Sequence, residues 1–242
     1  MSTPTWSLLH ATYGRPEKAI AAKRMALERA ANPERVEYIF ACNHDDQTRP
    51  RLLGSWMLGL TKNVIGNFAG SAPAWNAAAA YSSGTVLIQM ADDLELPPMW
   101  DTLLTAVIVG DGPHAKHPNP WYAPLFIAVS DGYRKDALCT CAIMTRTRYE
   151  QAGEFLHPNF YSVYSDDDVT YRALRDARDE KCYFVDTRKR VTFLHRHHLH
   201  DAGVPNDQTY ARGNSAEAYR IGAELFAKRN PEAATDGLRT WG

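Results

Sequence analysis

The sequence has little of the material that marks secreted, membrane-spanning or disulfide-stapled proteins. Only four cysteines occur in 242 residues, and a chain this poor in cysteine does not depend on a disulfide framework. No apolar run approaches the roughly 20 residues that a membrane span requires. The first residues, "MSTPTWSLLHATYG", also lack the charged and then apolar pattern of a signal peptide. These absences predict reduced thiols and a cytoplasmic location.

Excess charge of either sign is missing as well. The formal net charge is −1, so no overall field attracts nucleic acid or anionic lipid. No internal repeat or low-complexity tract occurs, which argues against solenoids and disordered segments. The chain does have 45% hydrophobic and 23% charged residues. That balance is typical of a folded globular protein, and the length is sufficient for a sizeable core.

The first 95 residues alternate between short apolar runs and helical patterns. Apolar runs predict strands over 6–11, 36–42 and 85–91. Helical spacing follows Pro16, and a second helical segment starts at Ser71, a candidate N-cap, and ends near Gly84. The alternation predicts an α/β fold with a mostly parallel sheet and helices on both faces.

Polar residues follow each of the three predicted strands. In parallel sheets, ligands bind beyond the carboxyl ends of the strands. We therefore expect these residues to lie along one edge of the sheet. They are Thr12, Tyr13, Arg15, Asp45, Asp46, Asp92 and Asp93.

The second half of the chain is less regular. Helices are predicted over "MWDTLLTAVI", "RYEQAGEF", "YSDDDVTYRALRDARDEK" and from about Ser215 to Arg229, and strands over "ALCTCAIMTR", "CYFVD" and "VTFLH". A proline-rich loop spans 114–125. No convincing linker interrupts the pattern, so residues 1–242 are interpreted as a single domain. About 1–95 would bind a nucleotide, and about 96–242 would hold the acceptor and catalytic residues.

Two adjacent carboxylates, Asp92 and Asp93, end the third strand. Like charges held side by side repel each other, and a divalent cation offsets that repulsion. Mg²⁺ and Mn²⁺ prefer such hard oxygen ligands, and they usually take one or two carboxylates together with phosphate oxygens and water. The simpler interpretation is a solvated turn whose acids face water.

The order of these features resembles the GT-A fold glycosyltransferases, in particular the large inverting family that uses nucleotide-diphosphate sugars. The resemblance is carried by "GSAPAWNAAAAYSSG", which contains Asn76, and by the strand after it. That strand ends in Met90-Ala91-Asp92-Asp93, where the family has its DXD-type motif. The usual motif has an acid in the place of Met90, so this chain departs from it there.

The resemblance implies a role for each residue at the predicted edge. Asp92 would approach the ribose, and Asp93 would bind the metal ion. The remaining nucleotide-binding residues would be Thr12, Tyr13, Arg15, Asp45 or Asp46, and Asn76.

A second acidic group, "SDDDVTYRAL", opens a predicted helix. It resembles the family's acidic pair, since Asp167, Asp168 and Val169 are followed by Arg172. The resemblance implies that Asp168 is the general base, with Asp167 as the alternative. Adjacent acids raise one another's proton affinity, which suits a base that works near neutral pH. The alternative interpretation is an N-capping acid cluster without a catalytic role.

A histidine-rich segment, "VTFLHRHHLHDAG", follows the last predicted strand. The resemblance implies that a late histidine completes the metal site, and His195 and His197 are the candidates because alternate residues share a strand face. An independent zinc site is disfavoured, because no cysteine lies at a suitable spacing. The neighbouring basic stretch, 188–196, is interpreted either as an anion site or as a solvated strand edge.

Together these features predict a metal-dependent, inverting glycosyltransferase with Mn²⁺ or Mg²⁺ as its cofactor. The favoured donor is a UDP-sugar. The hydroxyl acceptor would be a polysaccharide, a small molecule or a hydroxymethylated base in DNA. A nucleotidyltransferase is an alternative, but only Gly14 stands where a glycine-rich signature is expected. A non-catalytic nucleotide-sugar-binding protein is another.

Overall fold

The fold is mixed α/β, with helices packed around a central sheet of seven strands. The structure is a computed structural model and describes residues 5–53, 60–110, 112–197, 203, 211 and 213–241. Within these ranges no helix is long and apolar enough to cross a membrane. The strands are β1 (Trp6–Ala11), β2 (Val36–Asn43), β3 (Leu60–Gly66), β4 (Val86–Met90), β5 (Leu94–Glu95), β6 (Leu125–Ala128), β7 (Ile143–Thr145), β8 (Tyr183–Asp186) and β9 (Leu194–His195).

The sheet has the order β3-β2-β1-β4-β7-β6-β8, and β5 pairs with β9 in a separate two-stranded ribbon. β1 runs parallel to both of its neighbours, so that Trp6 lies opposite Val36 on one side and Val86 on the other. β7 is antiparallel to β4 and to β6, and β8 is parallel to β6. Six of the seven strands described in the central sheet therefore point the same way, which confirms the predicted mostly parallel sheet.

Helices cover both faces of the sheet, as predicted. The helices are α1 (Pro16–Glu28), α2 (Arg49–Leu53), α3 (Ser71–Tyr81), α4 (Trp100–Val109), α5 (Arg146–Ala152), α6 (Ser165–Arg178) and α7 (Ala216–Arg229). α1 and α4 contribute to the core on one face, and α3, α6 and α7 to the core on the other.

Three tryptophans anchor the first of these cores. The ring of Trp6 meets those of Trp100 and Trp121 edge-on, with centroids 5.5 and 5.9 Å apart. The Trp100 indole also donates a hydrogen bond to the Ala26 carbonyl at 2.8 Å, which ties α4 to α1.

Several element boundaries differ from the predicted ones for identifiable reasons. Ser71 is the first residue of α3 and not its N-cap, because Gly70 stands at the cap and the Ser71 amide donates to the Tyr161 carbonyl. β7 is much shorter than the predicted strand. The Leu138 and Cys139 amides donate to side chains, so they are not available to a neighbouring strand.

Two strands of the central sheet, β3 and β6, were not predicted, and neither was the two-residue strand β5 of the ribbon. β3 reads "LTKNVIG" and forms a half-exposed edge next to β2, so its apolar signal is weak. β6 follows directly after the proline-rich segment and has only four residues, too few to show a period.

The amino ends of the central strands are held together by one buried carboxylate. Glu37, near the start of β2, accepts hydrogen bonds from Lys62 Nζ at 2.6 Å and from the Ser83 hydroxyl and Gly84 amide at 2.9 Å each. The Ser7 hydroxyl on β1 is a further donor. Burial alone would raise the pKa of Glu37, but these donors outweigh it and lower the pKa to about 2.

We predict that Glu37→Gln destabilises the fold more at neutral pH than in acid. The folded-state pKa lies below the ordinary value of 4.5, so the carboxylate stabilises the fold above about pH 4.5, and this contribution is lost as the pH falls toward 2. Urea unfolding at pH 7 should show a loss of about 2–3 kcal/mol. The loss should shrink at pH 3.

The matched control is Glu34→Gln, since that side chain is 68% exposed. It should change the free energy of unfolding by less than about 0.5 kcal/mol at either pH. A Glu37→Gln effect that is equally large at pH 3 and pH 7 would contradict the electrostatic explanation.

Candidate functional site

A cavity of about 420 Å³ opens at the carboxyl edge of the sheet. Its size is within the usual range for a small-ligand site. Segments that are far apart in the sequence line it, because the carboxyl ends of the parallel strands meet at this edge. Its polar lining includes Thr12, Tyr13, Arg15, Asp92, Asp93, Asp131, Arg134, Asp166, Asp167, His195, His197 and Arg239.

Asp92 is held in place by a chain of buried polar groups. His10, inside β1 and fully buried, bonds the Asp92 carboxylate through Nε2 at 2.8 Å and the Tyr38 hydroxyl through Nδ1 at 2.6 Å. Burial, followed by the charge of Asp92, raises the pKa of Tyr38 well above its ordinary value. The phenol therefore keeps its proton and donates it to Nδ1. The imidazole N–H then lies on Nε2 and donates to the Asp92 carboxylate. Arg15 Nη1 approaches the second Asp92 oxygen at 3.5 Å.

His10 was not predicted as a site residue. Its signal is a single histidine inside the apolar strand "WSLLHA". Such a histidine is more often a satisfied core residue, and only its partner across 82 positions shows that it supports the site.

The ribbon of β5 and β9 brings Asp93 and His195 together. Leu94 pairs with His195, and the Arg196 amide donates to the Asp93 carbonyl at 2.7 Å. His195 Nε2 then lies 3.4 Å from Asp93 Oδ2. Burial would lower the pKa of His195, but the hydrogen bond and charge of Asp93 outweigh it and raise that pKa. The ring of His197 lies 5.3 Å from that of His195, so both predicted histidines reach the same corner.

The Asp93–His195 pair suits a divalent cation of the manganese type. One carboxylate oxygen and one imidazole nitrogen form a mixed donor set, which Mn²⁺ accepts better than Mg²⁺. The described residues contain no group of three or more acidic, histidine or cysteine side chains able to enclose an ion. A cation here would therefore take its remaining ligands from a bound phosphate and from water, as such ions commonly do.

The three acids that open α6 have different surroundings. Asp168 is fully buried, and its carboxylate accepts hydrogen bonds from Arg229 Nε at 3.0 Å and from the side-chain amide of Asn230 at 2.8 Å. Arg172 approaches it at 3.7 Å. Asp168 is not part of the cavity wall, whereas Asp166 and Asp167 both are.

Asp166 has the surroundings of a base that works near neutral pH. The side chain is half-buried at the cavity wall. Burial, followed by the neighbouring Asp167 carboxylate, raises the pKa of Asp166 to about 7. A carboxyl with this pKa exchanges its proton readily at neutral pH.

A second cavity of about 580 Å³ adjoins the first on the side of β2 and α3. Thr12 and Tyr13 line both cavities. The Thr12 hydroxyl oxygen is buried and has no hydrogen-bond partner within the described part of the chain. A buried polar atom at a cavity wall is a suitable contact for a polar ligand group.

Asp45 and Asp46 support the loop after β1 from below the cavities. Asp46 is buried and accepts hydrogen bonds from the Gly14 amide at 3.0 Å and from the Thr48 amide at 2.8 Å. Asp45 is exposed and accepts a hydrogen bond from the Tyr13 hydroxyl at 3.4 Å. Neither acid lines either cavity.

Asn76, a predicted site residue, makes structural contacts to the backbone and not contacts to the cavity. Its side-chain oxygen accepts from the Phe155 amide at 3.0 Å and the Leu156 amide at 3.3 Å, and its amide donates to the Ala72 carbonyl at 2.9 Å. Asn76 lines neither cavity. It fastens α3 to the loop after α5.

Several cavity residues were not predicted. Asp131 follows the short strand β6, and it caps its own loop by accepting from the Tyr133 and Arg134 amides. An Asp-Gly pair at 131–132 after an apolar run was the available signal. Arg239 and Trp241, near the far end of the sequence, had no recognisable motif.

The contacts of the basic stretch 188–196 favour a solvated strand edge over an anion site. Arg188 is paired with Asp186 at 2.5 Å, and Arg196 approaches Glu95 at 3.4 Å. The remaining histidines of the segment, His198 and His200, lie outside the described residues.

No family model and no curated protein sequence matches the chain. Solved structures do match it along nearly its whole length. The mannosyltransferase PcManGT from Pyrobaculum calidifontis, in complex with GDP-Man and Mn²⁺, is 14% identical with a TM-score of 0.61, covering 100% of this chain and 84% of that one. Both proteins share the same arrangement of elements. The chain has the GT-A fold.

Two further GT-A structures are similar to this chain. Glucosyl-3-phosphoglycerate synthase from Mycobacterium tuberculosis, in complex with Mn²⁺, UDP and glucosyl-3-phosphoglycerate, is 12% identical with a TM-score of 0.56, covering 96% of this chain and 80% of that one. TarS 1–349 from S. aureus, in complex with UDP-GlcNAc, is 14% identical with a TM-score of 0.55, covering 97% and 75%. Identities this low show a shared GT-A fold and nothing finer.

We predict that Asn76→Ala lowers the free energy of unfolding. The substitution leaves the Phe155 and Leu156 amides without their acceptor, which should cost about 2–3 kcal/mol in urea unfolding. The exposed Asn67→Ala is the matched control, with an expected change within about 0.5 kcal/mol. If Asn76→Ala kept full stability and lost UDP binding by calorimetry, the residue would be a ligand contact after all.

Proposed function

We propose that this chain is a metal-dependent glycosyltransferase that moves a sugar from a nucleoside diphosphate donor, preferably a UDP-sugar, to a hydroxyl acceptor with inversion. The observation that carries the proposal is the composition of one cavity. Asp92, the Asp93–His195 pair and Asp166 all line it at the carboxyl edge of a GT-A sheet. GT-A proteins with GDP-Man and Mn²⁺, and with UDP and Mn²⁺, share this architecture.

The donor would lie across the first part of the cavity. We assign Tyr13 and Thr12 to the nucleoside, Asp92 to the ribose and Arg15 to the diphosphate, on the basis of their places in the wall. Asp45 and Asp46 would act one step removed, by holding the loop that carries Thr12 and Tyr13. This assignment keeps the proposed single domain, with about 1–95 as the donor half and about 96–242 as the acceptor half.

Asp93 and His195, with His197 beside them, would hold the metal ion against the diphosphate. When bound, a divalent cation acts as a Lewis acid that stabilises negative charge on the leaving nucleoside diphosphate. The protein's part is to fix the two ligands, which the β5–β9 ribbon does through its backbone pairing.

We assign the general base to Asp166 in place of Asp168. Asp168 is committed to Arg229 and Asn230 and does not line the cavity, while Asp166 lines it and has a pKa near 7. Asp166 would accept the proton of the acceptor hydroxyl as that oxygen forms its bond to the anomeric carbon. The nucleoside diphosphate leaves from the opposite face of the sugar, so the configuration inverts.

Donor binding and turnover can be tested without knowing the acceptor. With Mn²⁺ and no added acceptor, the protein should release UDP slowly from at least one UDP-sugar, because water replaces the acceptor. Asp93→Asn should weaken Mn²⁺–UDP binding by about 10- to 100-fold in calorimetry, since the carboxylate is a direct ligand.

The control for that prediction is Asp179→Asn, an exposed acid that is bonded to Arg178 and lines neither cavity. It should leave binding within about twofold. Failure to bind UDP, GDP or dTDP with any divalent metal would contradict the proposal. Pyrophosphate release from a nucleoside triphosphate and a sugar phosphate would instead favour a nucleotidyltransferase.

The proposed base also predicts how the rate of donor hydrolysis depends on pH. Donor hydrolysis should rise as the pH increases toward 7 and then level off, because Asp166 acts in its ionised form. A bound cation lowers this pKa, so the inflection should lie at or below 7. Asp166→Asn should reduce kcat by at least about 100-fold and remove the inflection.

Stability separates Asp166 from Asp168. Because folding raises the pKa of Asp166 from the ordinary 3.8 to about 7, the fold loses stability as the pH rises from about 4 to 7, and this loss is complete above pH 7. Asp166→Asn should therefore gain on the order of 1 kcal/mol at pH 8. Asp168→Asn should lose about 3 kcal/mol, because it leaves Arg229 with a weakened partner. The reverse pattern would contradict the assignment of the base.

A further inference from the structure

The last residue of α7 and the segment that follows it, together residues 229–241, contact α6 along several successive turns. Asp236 accepts a hydrogen bond from the Tyr171 hydroxyl at 2.7 Å, and Glu232 accepts one from Arg175 at 3.2 Å. Arg229 and Asn230 at its start bind Asp168, as described above. We call these residues, 229–241, the C-terminal strap.

The end of the strap binds the acid next to the proposed base. Trp241 donates its indole N–H to the Asp167 carboxylate at 2.6 Å, and Arg239 donates to the same oxygen at 3.1 Å. Both donors are themselves fixed. Trp241 is 7% exposed, and the Arg239 guanidinium lies 4.7 Å from the centre of the Phe226 ring.

The first turn of α6 needs such support, because it does not stabilise its own start. Tyr164, at the N-cap, has a φ of 66° and provides no side-chain hydrogen bond to the helix. A left-handed conformation is unfavourable for a tyrosine, and the missing side-chain cap leaves the first turn less stable still. Three adjacent acids follow at once, and they repel one another.

Packing against α7 holds Tyr164 in this conformation. A Cβ at position 222 would come within 2.9 Å of the Tyr164 ring and 3.0 Å of the Val163 carbonyl, so only glycine fits there. Tyr164 also meets Tyr219 and Phe226 of α7 through ring contacts at 6.4 and 6.1 Å. The geometry of the first turn is thus imposed from outside the helix.

We propose that Arg239 and Trp241 are positioning residues for the transfer reaction, which fix the Asp167 carboxylate and thereby present Asp166 to the cavity. This inference rests on the proposed function. Neither residue needs to touch the donor for this role. Their effect passes through one carboxylate, at which both hydrogen bonds end.

The test compares variants of the strap in donor hydrolysis with Mn²⁺. Arg239→Ala and Trp241→Phe should each lower kcat by about 10- to 100-fold, since small displacements of a reacting group have effects of this size. The KM for the donor and the affinity for Mn²⁺–UDP should stay within about twofold of wild type. Arg239→Lys should recover part of the lost kcat.

The matched control is Arg175→Ala. It removes another contact between the same strap and the same helix, the one to Glu232, two turns away from the acids. If the strap acted only by stabilising α6, Arg175→Ala would reduce kcat as much as Arg239→Ala does. We expect it to leave kcat within about twofold. Thermal melting by circular dichroism identifies any variant that fails to fold, and Trp241→Phe and Arg239→Lys then decide.

Chemical rescue gives a readout that a purely structural role would not produce. Guanidinium at millimolar concentration should restore part of the kcat of Arg239→Ala and none of the loss in Trp241→Phe. A raised KM with unchanged kcat would show that Arg239 binds substrate directly and would overturn the inference. A wild-type protein that neither binds Mn²⁺–UDP nor hydrolyses a donor would overturn the proposed function, whereas unchanged kcat in both variants would overturn only this inference.

Discussion

Repulsion between carboxylates at the carboxyl edge of the sheet is the constraint on which the site depends. Five aspartates, from three separate segments, line one cavity there. Several of these side chains are restrained by particular donors, such as His10 for Asp92, His195 for Asp93 and Trp241 for Asp167. These contacts keep the acids in place without neutralising them all. Burial and the neighbouring Asp167 carboxylate raise the pKa of Asp166. In the proposed function, the remaining negative charge attracts a cation.

The polar residues that stabilise the fold are different from those that we propose take part in the reaction. Glu37 closes the amino ends of the strands, and Asn76 ties α3 to a neighbouring loop, both away from the cavity. Asp168 takes part in a buried ion network that anchors α6. Polar residues of the same chemical types thus serve as supports in one place and as candidate reacting groups in another, and burial with complete pairing distinguishes the supports.

The sequence predicted the mostly parallel sheet, the helices on both faces and the edge where the acids meet, because strand and helix periods are local properties. It also brought Asp93 and His195 into one hypothesis. It did not distinguish Asp166 from Asp168. Residues two apart on a helix point to different sides, and only the packing of the helix determines which side meets the cavity. His10, Asp131 and Arg239 were missed because each acts through a partner on another element, and a single sequence contains no record of that contact.

The most direct test of the account is an anomalous difference map, collected near the manganese absorption edge, from a crystal grown or soaked with UDP and Mn²⁺. The account predicts a peak within about 2.3 Å of an Asp93 oxygen and of a His195 or His197 nitrogen, with the diphosphate as a further ligand. Ordered UDP in the cavity with no peak at Asp93, or with the Asp92 and Asp93 side chains turned into bulk solvent, would contradict it.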